Sequence, residues 1–252
     1  KSDKRYHSFI WKGDESDFPV WVYIHQKSPL ILLEIELLEV GTFDDDIFFV
    51  VDEVANLNLD KSYQGSEDCA NQICKKLAEI TGYDRTNIYR FEADNSGVVI
   101  GEAIQIGMDS YFGLRFPDTD IPETVRAMYL KQPLRYIPDI TYTPISLIPD
   151  RALHLDLTEL QLRAVYPVHL EYLKNMGINS SLSIAIIHDT FLWGLIVFHH
   201  REPKKLAPQY RVGLLLLAKN IAKKLIMIDT AKRSKEAQET FQKLQSVQTV
   251  IY

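Results

Sequence analysis

Cysteine is scarce in this chain of 252 residues, where only Cys69 and Cys74 occur. They lie five apart in a helical pattern, which faces them poorly for a local disulfide. With no histidine beside them they also make a poor metal site, and they read as small buried hydrophobes in a reducing, cytoplasmic setting. Long apolar runs are missing as well. The run LLLLA at 214–218 soon meets Lys219, Asn220, Lys223 and Lys224, far short of the roughly 18 residues of a membrane span. No signal-peptide pattern opens the chain. A Gly-rich phosphate loop, an HExxH string and a familiar Ser/His/Asp spacing are all absent, which argues against an enzyme. There is no internal repeat and no low-complexity tract.

What is present suits a soluble globular protein, because 46% apolar composition is ample for a packed core. The net charge of −6 is unevenly placed. Residues 201–252 hold 11 Lys and Arg against 4 Asp and Glu, a balance of +7 that leaves −13 upstream. An acidic main body disfavours nucleic acid as a partner. The first residue is Lys1 and the opening reads as a strand, so the chain is expected to be a fragment with residues upstream.

Two β-rich runs, PVWVYIHQ (19–26) and PLILLEIELLE (29–39), are separated by Lys27-Ser28 as in a hairpin. An acidic, aromatic connector (41–59) leads to a helix. There Ser66 is the expected N-cap, Glu67 and Asp68 suit the first turn, Ala70, Ile73, Leu77 and Ile80 keep helical spacing, and Gly82 stops it. Strands are predicted at 86–92 and 97–103. The segment 107–149 has seven Pro or Gly after its first residue. It is read as long irregular stretches with a short helix whose first residue is Pro122; loops that long usually carry function. A helical region is predicted from Thr158 to Met176, broken or restarted at Pro167. The strands 181–187 and 191–200 pair through a turn at Asp189. From Gln209 the sequence is helical, with Leu217, Ile221, Leu225 and Ile228, then Phe241, Leu244, Val247 and Ile251, on one face.

Three strings stand out: FPDTDIP (116–122), LRAVYPVHLEYLKNMG (162–177) and LWGLIVFHH (192–200). Taken alone, Asp120 is a carboxylate near a helix start, where helix polarity favours it. A lone His169 on a helix face is an ordinary core or surface residue, and each arginine is a candidate surface salt bridge. Ser181 and Ser183 share strand parity, so both hydroxyls face one side.

Together the strings resemble the bilin-binding GAF domain of phytochromes, most specifically between 116 and 200. The resemblance implies roles for named residues. Asp120, with Ile121 and Pro122, matches the motif whose aspartate carbonyl contacts the central pyrrole N–H groups. His169 matches the histidine that sits over the bilin and orders a water there. Tyr172 and Tyr89 match the two tyrosines near the isomerising ring, and Phe116 and Tyr129 match further pocket positions. Arg135 and Arg163 match the propionate-binding arginines, since paired propionates call for guanidinium forks and hydroxyls, here Ser181 and Ser183. His199 matches a histidine at the remaining terminal ring carbonyl.

One departure is informative. Many phytochromes attach bilin through a cysteine immediately before the pocket histidine, whereas this chain has Val168, which cannot form a thioether. Cys69 and Cys74 match no attachment position. The implied cofactor is therefore a linear tetrapyrrole, biliverdin or phycocyanobilin, not covalently held within this chain.

The fold expected is α+β. Residues 1–42 would end a partial PAS-like β-sheet, 43–228 would form a GAF domain with a central antiparallel sheet flanked by helices, and 229–252 would continue as a connecting helix. Expected partners are the bilin, a PHY-type domain, an output domain such as a histidine kinase, and a second copy along the C-terminal helix. No membrane partner is expected. The implied function is red/far-red photosensing; the alternative is a dark regulatory GAF module for another small ligand such as a cyclic nucleotide.

Overall fold

Alternating side chains sort the strands into two antiparallel sheets. The computed structural model describes residues 4–13, 17–38, 63, 65–148 and 155–250. The connector expected at 41–59 lies outside the described residues. The first sheet is a meander of β1 (Lys4–Lys12), β2 (Asp17–Lys27) and β3 (Leu30–Leu37). Strand β3 shows the period of two directly: Ile31, Leu33, Ile35 and Leu37 are exposed, while Glu34 between them is buried. The inward face also carries buried Trp21, Tyr23 and His25.

Buried charge joins this sheet to the rest of the chain. His25 meets Glu34 at 2.7 Å, and the other Glu34 oxygen accepts the Leu162 N–H at 2.6 Å. Arg211, whose side chain is 0% exposed, bonds both Glu36 oxygens at 2.5 and 2.6 Å and donates to Gln161 Oε1 at 3.2 Å. Its guanidinium also lies 4.5 Å from the centre of the Tyr136 ring.

The second sheet has the order β6-β5-β4-β9-β8-β7. Its strands are β4 (Arg85–Phe91), β5 (Gly97–Ile104), β6 (Arg115–Phe116), β7 (Leu134–Ile137), β8 (Ser180–His188) and β9 (Phe191–His200). Helices α1 (Ser66–Thr81) and α4 (Pro208–Val250) pack on one face around Ile73, Leu77, Ile88, Ile184, Phe198, Leu217 and Ile221. Gly101 permits the approach of α1, because a Cβ there would stand 2.6 Å from the Ala70 backbone. Cys69 and Cys74 are free and buried in this core, and burial pushes the Cys69 thiol up to about 11. Asp189 makes the β8–β9 turn at φ 51°.

The α+β arrangement predicted from sequence is the one observed, with three local corrections. Gly65, in extended backbone, occupies the N-cap of α1 without a side-chain bond, so Ser66 is the first helical residue. Pro122 caps α2 (Glu123–Lys131) from outside instead of opening it. The helix expected from Thr158 to Met176 is only α3 (Pro167–Asn175). Before it, Arg135 takes the carbonyls of Gln161, Arg163 and Ala164, and Glu34 takes the Leu162 N–H. Those backbone groups are satisfied elsewhere, so a helical ladder has nothing to gain there.

Along α4, Leu217, Ile221 and Leu225 are buried and Ile228 packs at the core edge, but residues 230–242 are exposed. Phe241 is 59% exposed; the side chains of Leu244 and Val247, and Ile251, lie outside the described residues. Among the described residues no helix is long and apolar enough to cross a membrane, and no His/Cys/Asp/Glu group could hold a metal ion.

Candidate functional site

The face of the second sheet opposite α1 and α4 is a floor whose side chains follow from register. Across β7, β8, β9 and β4 one row runs Arg135, Ser183, Val197, Asn87, and the next runs Ile137, Ser181, His199, Arg85. Directly opposed residues of antiparallel strands share a face, so the guanidinium of Arg135, both serine hydroxyls and the His199 ring belong to one surface. Further along, Tyr89 pairs Leu195, which pairs Ala185. Over this floor lie Tyr111, Phe116, Ile121 and Tyr129, and beyond them Val165 and Leu173 pack on Ile137.

At one end the site is cationic and hydroxylic. Arg135 donates to the carbonyls of Gln161, Arg163 and Ala164 at 3.3, 3.1 and 3.1 Å. Arg163 donates to Leu160 O at 2.7 Å. Burial and the neighbouring Arg163 push the Arg135 pKa down to about 10, and burial also lowers that of Arg163. Among the described residues neither guanidinium has a carboxylate within ion-pair distance. Tyr129 and Ser183 share a hydrogen bond of 2.7 Å beside them; burial raises the phenol pKa.

At the other end the site is aromatic. The ring of Tyr89 lies 5.2 Å from Phe91 and 6.1 Å from Phe116, which is itself 6.2 Å from Tyr111. Burial, with Asp120 and Tyr172 nearby, pushes Tyr89 up to about 12. Asp120 is exposed on its turn, and Ile121 O accepts from Arg126 at 2.9 Å. The FPDTDIP string thus brings a carboxylate to the rim and Ile121 to the apolar wall.

Helix α3 forms the side. His169 and Tyr172 stack at 6.3 Å, and Val168 precedes them, 62% exposed. The accessible surface of His169 is that of an exposed residue, yet surrounding protein and Arg135 lower its pKa. The ring is thus reached by water on one side and faced by protein on the other. His199 is buried; burial first, then Arg85 and His169, push its pKa down to about 3, so the ring is neutral near pH 7. Its Nδ1 has no hydrogen-bond partner among the described residues. A buried polar atom left unpaired is costly and is the kind a ligand would satisfy.

Of the fourteen positions singled out in the sequence, register and packing bring Tyr89, Phe116, Ile121, Tyr129, Arg135, Ser181, Ser183 and His199 to one face of the second sheet; Arg163 lies near Arg135, His169 and Tyr172 stack on α3, and Asp120, Pro122 and Val168 are exposed. Three side chains were missed: Arg85 and Glu102, paired at 3.6 Å, and Tyr111, whose ring lies 3.7 Å from the Arg85 guanidinium. The parity that picked out Ser181 and Ser183 would have picked out Arg85, Asn87 and Tyr89 on β4. Two half-buried guanidiniums, hydroxyls, a neutral histidine and aromatic rings on one face suit a long planar ligand that carries carboxylates toward the cationic end.

A family model described as GAF domain matches residues 66–225, more than half of the chain. The chromophore-binding domain of the Stigmatella aurantiaca bacteriophytochrome superposes with a TM-score of 0.79 at 32% identity, covering 87% of this chain and 73% of that one. This chain belongs to the phytochromes. The corresponding domain of a bacteriophytochrome from R. palustris gives a TM-score of 0.80 at 30% identity, covering 90% and 75% of the two chains. Among curated phytochromes, a phytochrome-like protein of Synechocystis is 38% identical over 196 residues, covering 75% of this chain and 26% of its own length. A bacteriophytochrome of Pseudomonas aeruginosa is 34% identical over 200 residues, covering 77% and 27%. The chain thus spans little more than a quarter of those curated phytochromes.

Proposed function

We propose that this chain binds a linear tetrapyrrole, biliverdin or phycocyanobilin, and forms the light-sensing part of a red/far-red photoreceptor. The observation that carries the proposal is the pair Arg135 and Arg163, half-buried and close enough to lower the pKa of Arg135, with no carboxylate at ion-pair distance among the described residues. Two cations held in that way match a ligand with two carboxylates, whereas a cyclic nucleotide, with one anionic phosphate, would leave a guanidinium unmatched. When bound, the bilin would supply light absorption and a double bond that isomerises.

The protein's own residues take roles by position. Arg135 and Arg163 hold the propionates with Ser181, Ser183 and Tyr129 beside them. His169 sits over the ring system, and the Asp120 carbonyl faces the central pyrrole N–H groups. Tyr89, Phe116 and Tyr172 enclose the isomerising ring, and neutral His199 meets the carbonyl of the remaining terminal ring. Ile121, Pro122 and Val168 complete the wall without a covalent bond. Isomerisation would alter these contacts and so bias a two-state protein equilibrium.

The same reading ends a PAS-like unit at 42, the GAF unit at 228, and gives 229–252 to a connecting helix toward a PHY-type domain, with a histidine kinase as output. A second copy of the chain is the expected partner along α4, whose exposed residues include Phe241. Sedimentation should show self-association that Phe241→Glu abolishes; a strictly monomeric parent removes the dimer. The central test mixes the purified chain with biliverdin or phycocyanobilin and records absorbance before and after red light. A red-shifted, light-switchable band supports the proposal, and free-pigment spectra throughout refute it.

A further inference from the structure

Arg85 and Glu102 are a buried ion pair that the roles above do not use. Their side chains are 2% and 5% exposed and 3.6 Å apart. Burying two charges is expensive, and a pair at that separation recovers little of the cost by itself. Most of the rest is recovered at the turn 109–112. Arg85 donates to the carbonyl of Asp109. Glu102 accepts the N–H groups of Tyr111 at 3.0 Å and Phe112 at 3.3 Å and the Ser110 hydroxyl at 2.5 Å. Asn87, in the amide orientation its neighbours require, adds a bond to Glu102 at 3.2 Å. The Arg85 guanidinium finally lies flat enough on Tyr111 to sit 3.7 Å from the ring centre.

The register adds the second half of the argument. Arg85 is the cross-strand partner of His199, so the clamp and the orphaned His199 ring stand side by side on the cavity floor. Tyr111 continues the aromatic wall through Phe116 to Tyr89. We propose that Arg85 and Glu102 are positioning residues for the ligand, clamping the 109–112 turn so that Tyr111 holds the aromatic wall of Phe116 and Tyr89 against the isomerising ring. The clamp never touches the reacting double bond; it acts through Tyr111. This inference rests on the bilin reading of the same cavity.

The test uses the full chain titrated with biliverdin, together with melting of the ligand-free protein. Arg85→Met/Glu102→Gln removes both charges at nearly constant volume, so the fold survives where a single substitution would strand a buried charge. Its biliverdin affinity should fall about tenfold, the scale of one lost aromatic wall contact, while its melting temperature changes little. Tyr111→Ala should lose as much, and the triple variant no more than either, because both changes remove one interaction. Unchanged affinity in the clamp variant, or losses that simply add in the triple variant, would overturn the inference alone. A parent chain that takes up no biliverdin would overturn the bilin reading and this inference with it.

Discussion

Arg211→Met tests the joint between the two sheets. The parent guanidinium is wholly buried, with Glu36 oxygens at 2.5 and 2.6 Å, Gln161 at 3.2 Å and the Tyr136 ring at 4.5 Å. Methionine fills much of the stem volume but supplies none of these contacts, and it leaves the Glu36 carboxylate, 18% exposed, without its cation. Breaking a buried pair from one side costs about 3–5 kcal/mol. In a domain of this length each kcal/mol shifts melting by about 2–4 °C, so the variant should melt roughly 10 °C lower. Arg211→Met/Glu36→Gln, which removes the stranded charge, should recover most of that loss. Circular dichroism melts of the three proteins at pH 7 provide the comparison. A single variant melting within about 2 °C of the parent would refute the reasoning, since a burial cost of that size could not then exist.

Acidification gives an independent check. The His199 pKa is about 3 in the folded chain against an ordinary 6.5. Between those values the unfolded chain binds a proton that the native chain refuses, so stability should fall as pH drops below about 6.5, by about 1.4 kcal/mol per unit. His169 is lowered in the same direction and adds to the slope. Urea melts of His199→Gln between pH 7 and 5 should show a flatter dependence; an unchanged slope counts against the buried neutral ring. Gly97→Ala would place a Cβ 1.7 Å from the Tyr89 ring, costing about 1–3 kcal/mol and driving the ring into the cavity; melts and biliverdin titration should both register it. Biliverdin should leave no zinc-fluorescent band on a denaturing gel of the parent chain, while Val168→Cys should yield an adduct with phycocyanobilin. No adduct would place position 168 away from the pigment.

What could be read from the sequence was whatever local pattern decides. The stripe Leu217, Ile221, Leu225 predicted the buried face of α4, and the Asp189 turn with its flanking β-branched runs predicted the β8–β9 pair. Residues 158–166 failed because their backbone partners are remote: Arg135 lies on β7 and Glu34 on β3, and no local periodicity announces such bonds. The candidate site residues were legible mainly through three unusual strings, whereas strand register gathers Tyr89, Arg135, Ser181, Ser183 and His199 on one floor. Arg85 and Glu102 were passed over because a charge reads as surface in one dimension.

The seam between β4 and β9 has a consequence for biosynthesis. It joins residues 85–90 to residues 194–199, so the centre of the floor pairs two stretches more than a hundred positions apart. Neither hairpin alone carries both halves of the cavity: β4–β5 has Tyr89 and Arg85, while β8–β9 has Ser181, Ser183 and His199. On a ribosome that emits the chain from its amino end, this floor cannot exist until β9 has emerged. Contacts of such long range fold slowly. On the bilin proposal, pigment capture is therefore a late event in the life of the chain, and a nascent polypeptide stalled before residue 191 would offer the tetrapyrrole no floor.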